Sequence, residues 1–197
     1  MKPIEQHPFE PFLPHSARFL FLGTFPPRPE KWSMEFFYPN KINDMWRIMG
    51  LIFFGDRNHF WNEAERKFMI EPIKDFLTEK GIAMYDTAYK VERLKDNASD
   101  KFLKIVEPID LLCMLGENLA IEVVVTTGEK AASVVAELTS TRVPEVGKSE
   151  DISMLGRNVR HYRMPSTSRA YPLKIEKKAE FYKNMFEAEG VRMPNFL

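Results

Sequence analysis

The sequence predicts an α/β protein: a central, mostly parallel four-stranded sheet with helices on both faces, in three αβα layers. Two observations predict it. Four short apolar or β-branched runs each stop at a glycine, aspartate or proline, and stretches with a helical apolar period fill the intervals between them. Strands that alternate with helices of this length belong to parallel sheets covered on both sides.

The elements follow in order. Residues 18–23 (RFLFLG) form an apolar run that enters a proline-rich loop, as a buried strand does. Ile42, Met45, Trp46 and Met49 recur at i, i+3, i+4 and i+7 and Gly50 follows, which predicts a short helix with a glycine stop. Phe60, Ala64 and Phe68 keep a helical spacing, and Ile73, Phe76 and Leu77 precede Gly81. The second strand is 81–86 (GIAMYD), and the third is the β-branched run 121–127 (IEVVVTT). Ala131, Val134, Val135 and Leu138 form the next helical stripe. The fourth strand, 158–164 (NVRHYRM), alternates as an edge or half-exposed strand does, and Phe181, Tyr182, Met185 and Phe186 anchor a last helix.

A chain of 197 residues with 44% hydrophobic and 28% charged residues suits one domain spanning 1–197. The opening Met-Lys-Pro-Ile-Glu-Gln-His-Pro is followed by no apolar segment, and no apolar window is long enough to cross a membrane, so a cytoplasmic protein is expected. The single cysteine, Cys113, excludes an internal disulfide, and with four scattered histidines it argues against zinc or iron–sulfur sites; its apolar setting (LLCML) points to a buried structural thiol. Formal net charge is zero, which gives no global signature of nucleic acid binding. Locally, Arg157, Arg160, Arg163, Arg169, Lys174, Lys177 and Lys178 face only Glu176 between positions 156 and 178, either as a phosphate-facing strip or as a solvated helix face.

Right-handed crossovers place the C-terminal ends of parallel strands on one rim, where open α/β sheets bind ligands. Four segments should therefore meet: 23–27 (GTFPP), Asp86, 126–128 (TTG) and 165–169 (PSTSR). The loop 24–40 holds Trp32, Phe36, Phe37 and Tyr38 among four prolines. Its rings either return to the core or, at Tyr38, form a stacking wall for a planar ligand. Asn40 and Asn43 either cap the following helix or present an amide to that ligand. Ser166, Thr167 and Ser168 offer hydroxyls and backbone N–H groups to a phosphate, and equally suit a turn. Gly147-Lys148-Ser149 is not a phosphate loop, because Arg142 stands where its first glycine belongs, and no GxGxxG, GxSxG or HExxH occurs.

Taken together and in order, GTFPP at 23–27, FYPNKINDMW at 37–46, GIAMYD at 81–86 and MPSTS at 164–168 resemble the uracil-DNA glycosylase superfamily, in particular its branch of mismatch-specific uracil-DNA and hypoxanthine-DNA glycosylases. The resemblance covers roughly residues 18 to 186. Thr24, Phe25 and Pro26 occupy the first motif, where many relatives place an activating Asn or Asp; Phe25 departs from that pattern and matches the hypoxanthine branch, which relies on an Asn of the second motif. By position that residue is Asn40, the expected catalytic group. The resemblance further implies that Tyr38 stacks on a flipped base and that Asn43 and Trp46 shape the pocket floor, with Thr24 and Phe25 beside them. Ser166 and Ser168 would pinch the DNA backbone, with Arg169 or Ala170 as the wedge. A histidine that some relatives carry in this last loop is absent.

The implied function is a monofunctional DNA glycosylase that removes uracil or hypoxanthine by base flipping and hydrolysis of the N-glycosidic bond, without metal or cofactor, acting as a monomer on DNA that contains a deaminated base. A catalytically silent member that binds nucleic acid or a nucleotide and recruits a partner is the alternative, and a small-molecule enzyme using the same rim is a third.

Overall fold

The computed structural model describes residues 3–95, 102–154 and 156–196. In chain order they form β1 (Ile4–Gln6), β2 (Phe19–Gly23), α1 (Met45–Phe54), β3 (Trp61–Asn62), β4 (Lys67–Phe68), α2 (Ile70–Lys80), β5 (Ile82–Asp86), β6 (Ala88–Arg93) and β7 (Leu103–Pro108), then α3 (Leu111–Glu117), β8 (Val123–Thr127), α4 (Glu129–Thr139), β9 (Lys148–Met154), β10 (Arg157–Met164) and α5 (Ile175–Ala188). The central sheet runs β5-β2-β8-β10-β9, parallel except for β9. All residues of β2, β5 and β8 are buried, which explains why they read as continuous apolar runs instead of alternating ones. Helices flank this sheet: α5 sets Phe186 on Phe19 and Phe21, α1 joins it through Phe53, and α4 lies on β8 and β10 with α3 against it.

Three departures from the sequence expectation have physical causes. The sheet has five strands, not four. The fifth, β9, reads Lys-Ser-Glu-Asp-Ile-Ser-Met, and only Ile152 in it is buried; a polar outer strand carries no apolar signature. It pairs antiparallel with β10, so β10 is an inner strand and not the edge. Helix α1 runs through Gly50 and stops at Gly55, which takes the left-handed conformation. Gly50 is there for clearance, since a Cβ would stand 2.3 Å from the carbonyl oxygen of Asp56. The spacing of Phe60, Ala64 and Phe68 belongs to the β3–β4 hairpin, whose turn holds Arg66 at positive φ. Three residues four apart do not separate a helix from a short hairpin.

A second sheet, β1-β6-β7, is antiparallel and lies beyond the resemblance motifs. Cys113 is exposed on the short helix α3, contrary to the buried thiol expected, because the apolar run around it buries Leu111 and Leu115 on the opposite side. No helix among the described residues is long and apolar enough to cross a membrane.

Candidate active site

Parallel register brings the strand ends to one rim: Gly23 pairs with Asp86, and Thr127 with Met164. The loop after β2 is folded back on itself by hydrogen bonds from two of its own side chains and from Trp46 of α1. Trp32 Nε1 donates to Pro27 O at 2.6 Å, Ser33 Oγ to Pro39 O at 2.8 Å, and Trp46 Nε1 to Phe37 O at 3.0 Å. Phe36 and Phe37 enter the core, as one of the two sequence readings had it. Tyr38 does not. Its φ of 52° reverses the chain direction, its ring packs edge-on against Trp46, and its hydroxyl lies 2.9 Å from Thr127 Oγ1.

A cavity of about 540 Å³ opens at this rim, large enough for a nucleobase with its sugar. Thr24, Phe25, Tyr38, Asn40 and Asn43 line it from one side, and Ser166 and Ser168 from the other. Arg169 is not among its lining residues; Ala170 and Tyr171 are. Thr24 is buried, and Phe25 is half-buried edge-on to His7. Asn43 Oδ1 accepts from Met45 N, the first residue of α1, at 2.9 Å, an Asx turn that leads into the helix, while the N-cap position itself is held by Asp44 without a side-chain capping bond. Asn40 Oδ1 accepts from Ile42 N at 3.1 Å, which fixes the orientation of the amide and leaves its Nδ2, a donor, without a partner among the described residues.

The hydroxyl-rich turn is tied to α1 by a buried ion pair. Lys178 Nζ, on α5, reaches Asp44 Oδ2 at 3.0 Å and Ser168 O at 2.8 Å, while Arg169 Nε donates to Asp44 Oδ1 at 3.1 Å. Asp44 N also donates to Thr167 O at 2.8 Å. Ser166 Oγ and Ser168 Oγ accept from backbone N–H groups two residues on, as turn-forming serines do. Most of the cationic run is likewise engaged internally. Arg157 donates to the carbonyls of Leu115, Leu119 and Ile121, Arg160 pairs with Glu189, and Lys177 with Glu180. These four, Lys178 included, do not form a phosphate-facing strip.

Two lining residues escaped the sequence reading of roles. Thr127 anchors the Tyr38 hydroxyl. Asp86, 6% exposed, brings a carboxylate to the cavity, its Oδ2 2.9 Å from Nε2 of the buried His7. Position at a strand end was visible for Asp86, but its partner lies 79 residues away in a segment with no motif.

No family model matches the chain, and no curated protein matches it. Among solved structures it is similar to the solution NMR structure of a protein from Methanosarcina acetivorans, provisionally named a uracil DNA glycosylase, with a TM-score of 0.61 and 20% identity over 94% of this chain and 99% of that one. The fold is uracil-DNA glycosylase-like. At this identity the likeness speaks for the architecture, and the chemistry has to be argued from the site.

Proposed function

We propose that the rim cavity receives a base flipped out of DNA, and that the protein is a monofunctional DNA glycosylase acting on a deaminated base, uracil or hypoxanthine. One observation carries the reading: the segment of Tyr38 and Asn40 and the turn of Ser166 and Ser168, more than 120 residues apart in sequence, line the same cavity. The name of the similar solved structure and the ordered motifs of the sequence support it.

In this reading Tyr38 supplies the stacking face, worth roughly 1–3 kcal/mol for a base on an aromatic ring. Its hydroxyl is held by Thr127, so the ring is oriented before the base arrives. Cleavage of the N-glycosidic bond leaves the electron pair on the base and an oxocarbenium-like sugar, to which water adds. Asn40, with Oδ1 occupied by Ile42 N, turns Nδ2 to the departing base as a donor to the oxygen where negative charge collects. Ser166, Ser168 and Arg169 flank the opening as contacts for the DNA backbone.

Release of free base from oligonucleotides that contain uracil or hypoxanthine tests this directly. Asn40→Ala is expected to lower the rate on the order of 10²–10³-fold, the scale of losing one preorganised donor. Unchanged activity in that variant would remove Asn40 from the mechanism. Phe25 in the first motif favours the second reading, a catalytically silent binder; salt-dependent DNA binding without base release from the wild-type protein would select it.

A further inference from the structure

Positive charge that the protein does not neutralise gathers beside the cavity mouth, on α1 and on the turn that follows it. Asp44, just before α1, is shared by Lys178 and Arg169, so that trio keeps one positive charge. Arg47 stands three residues on, about one helical turn further along the same face. Beyond α1 the chain doubles back, with Asp56 N donating to Gly50 O at 3.2 Å, and Arg47 Nη1 donates to Asn58 Oδ1 at 2.8 Å. Arg57, next to Asn58, is exposed and makes no hydrogen bond or ion pair among the described residues. Asp56 turns its carboxylate to its own loop, where Oδ1 accepts from Asn58 N at 2.8 Å.

Arg47 is half-buried and held in place. Its guanidinium lies 5.3 Å from the centroid of the Trp61 ring and 5.6 Å from that of Phe68, contacts that fix the plane of the group. Its hydrogen-bond partner is a neutral amide, and its Nε is buried without a partner among the described residues. Burial lowers its pKa from the ordinary arginine value, and so do Arg169 and Arg57, whose repulsion outweighs the pull of Asp44 and Glu63. An arginine stays charged even so. Repelling guanidinia held side by side, with too few carboxylates to offset them, suit an anion that carries several charges in a row.

We propose that Arg47 and Arg57 continue from Arg169 as a track for the phosphates of the DNA strand that runs on from the flipped nucleotide; the proposal rests on the base-binding role given to the cavity above. Guanidinium is weakly hydrated and its planar fork matches phosphate oxygens. The ring contacts orient the Arg47 fork before DNA arrives, so little side-chain freedom is lost on binding. The track reads no base. It adds affinity for the duplex beside the mouth and fixes how the strand leaves it.

Binding of a uracil-containing duplex is measured over a range of salt concentrations for the wild type, Arg57→Gln, Arg47→Gln, the double variant, Arg57→Lys and Lys104→Gln, and base release is followed on the same duplex. Each phosphate contact contributes about 0.9 to the slope of log affinity against log salt. Arg57→Gln and Arg47→Gln should each lower the magnitude of the slope by about 0.9, and the double variant by about twice that. Affinity should fall on the order of tenfold per arginine at about 50 mM salt, and the gap should close as salt rises. Arg57→Lys keeps the charge and should keep the slope. Lys104→Gln removes an exposed cation of the second sheet and should keep it as well. Thermal unfolding reports that each variant is folded, and Arg57→Gln, at an exposed position, carries the test if the loss of the Arg47 ring contacts unfolds the protein.

A slope unchanged in Arg57→Gln, lowered as far in Arg57→Lys, or lowered equally in Lys104→Gln overturns the proposal. Slopes that shift as expected without base release overturn only the glycosylase reading. Base release with unshifted slopes overturns only the track. Failure to bind the duplex overturns both.

Discussion

Tyr38 is held in the left-handed region at a φ of 52°, a conformation that costs a tyrosine free energy and persists only because its surroundings enforce it. The enforcement is visible in the Trp46 and Ser33 hydrogen bonds on either side and in the hydroxyl contact with Thr127. Two substitutions separate the ring from the hydroxyl. Tyr38→Phe keeps the stacking face and should lower stability by about 1 kcal/mol, the net worth of one hydrogen bond. Tyr38→Ala removes the face and should weaken binding of a flipped base by about 1–3 kcal/mol, measured by titrating oligonucleotides into each variant. Equal effects of the two changes would show that the ring is structural only. At this scale the sequence disclosed which residues gather at the rim, because a strand end and a loop are local features. It did not disclose orientation. The Asn40 amide direction follows from an Asx turn two residues long, but the placement of the Asp86 carboxylate depends on His7 and on Gly23, whose lack of a Cβ makes room for Oδ1, and neither has a local signal.

Pairs of elements are joined by buried polar contacts that apolar periodicity does not reveal. His161 on β10 is wholly buried, and its Nε2 lies 3.0 Å from Thr126 Oγ1 on β8. Thr126 Oγ1 gives its proton to Tyr162 O, so His161 Nε2 is the donor in their contact and the ring is neutral. Burial pushes its pKa down from 6.5 to about 4. Above pH 6.5 folded and unfolded chains both hold a neutral ring; below it the unfolded chain takes a proton that the folded one refuses until about pH 4. Stability should therefore fall as pH drops through this window, by about 3 kcal/mol at its lower end. His161→Gln should flatten that part of the profile, read from unfolding midpoints at several pH values, and an unchanged profile would exclude His161 as its source. The Lys178–Asp44 pair joins α5 to the start of α1, with both side chains nearly inaccessible. Lys178→Met leaves Asp44 buried with one cation fewer, at a cost of roughly 3 kcal/mol or more in denaturant unfolding. It also frees the Ser168 carbonyl, so DNA binding should weaken beyond the loss of stability. In the sequence Lys178 read as one more surface cation, since burial of a lysine in an amphipathic helix is decided by a partner 134 residues away.

For the whole molecule the question is how a chain of zero formal net charge would hold a polyanion. The basic run before and within α5 offered one answer, but Arg157, Arg160 and Lys178 are engaged by carbonyls and carboxylates of the protein itself, and Arg169 shares Asp44. The parallel sheet was predictable because its apolar runs are continuous, whereas the fate of each cation is a matter of long-range pairing and stayed hidden. With these four cations engaged inside the protein, the proposed DNA binding would draw on stacking, on the hydroxyls and backbone N–H groups of the turn at 166–168, and on burial of the base more than on counterion release by this run. Those contacts are short-ranged and weakly screened. A plot of log affinity against log salt for a uracil-containing duplex should then have a shallow slope, of magnitude about 3 or less, against about 6–10 for proteins that neutralise many phosphates. Fluorescence anisotropy over a range of salt concentrations measures it. A steep slope would mean that the internal ion pairs open on binding and hand their cations to the phosphates, and Arg169, whose side chain is 44% exposed, is the pair member placed to do so first.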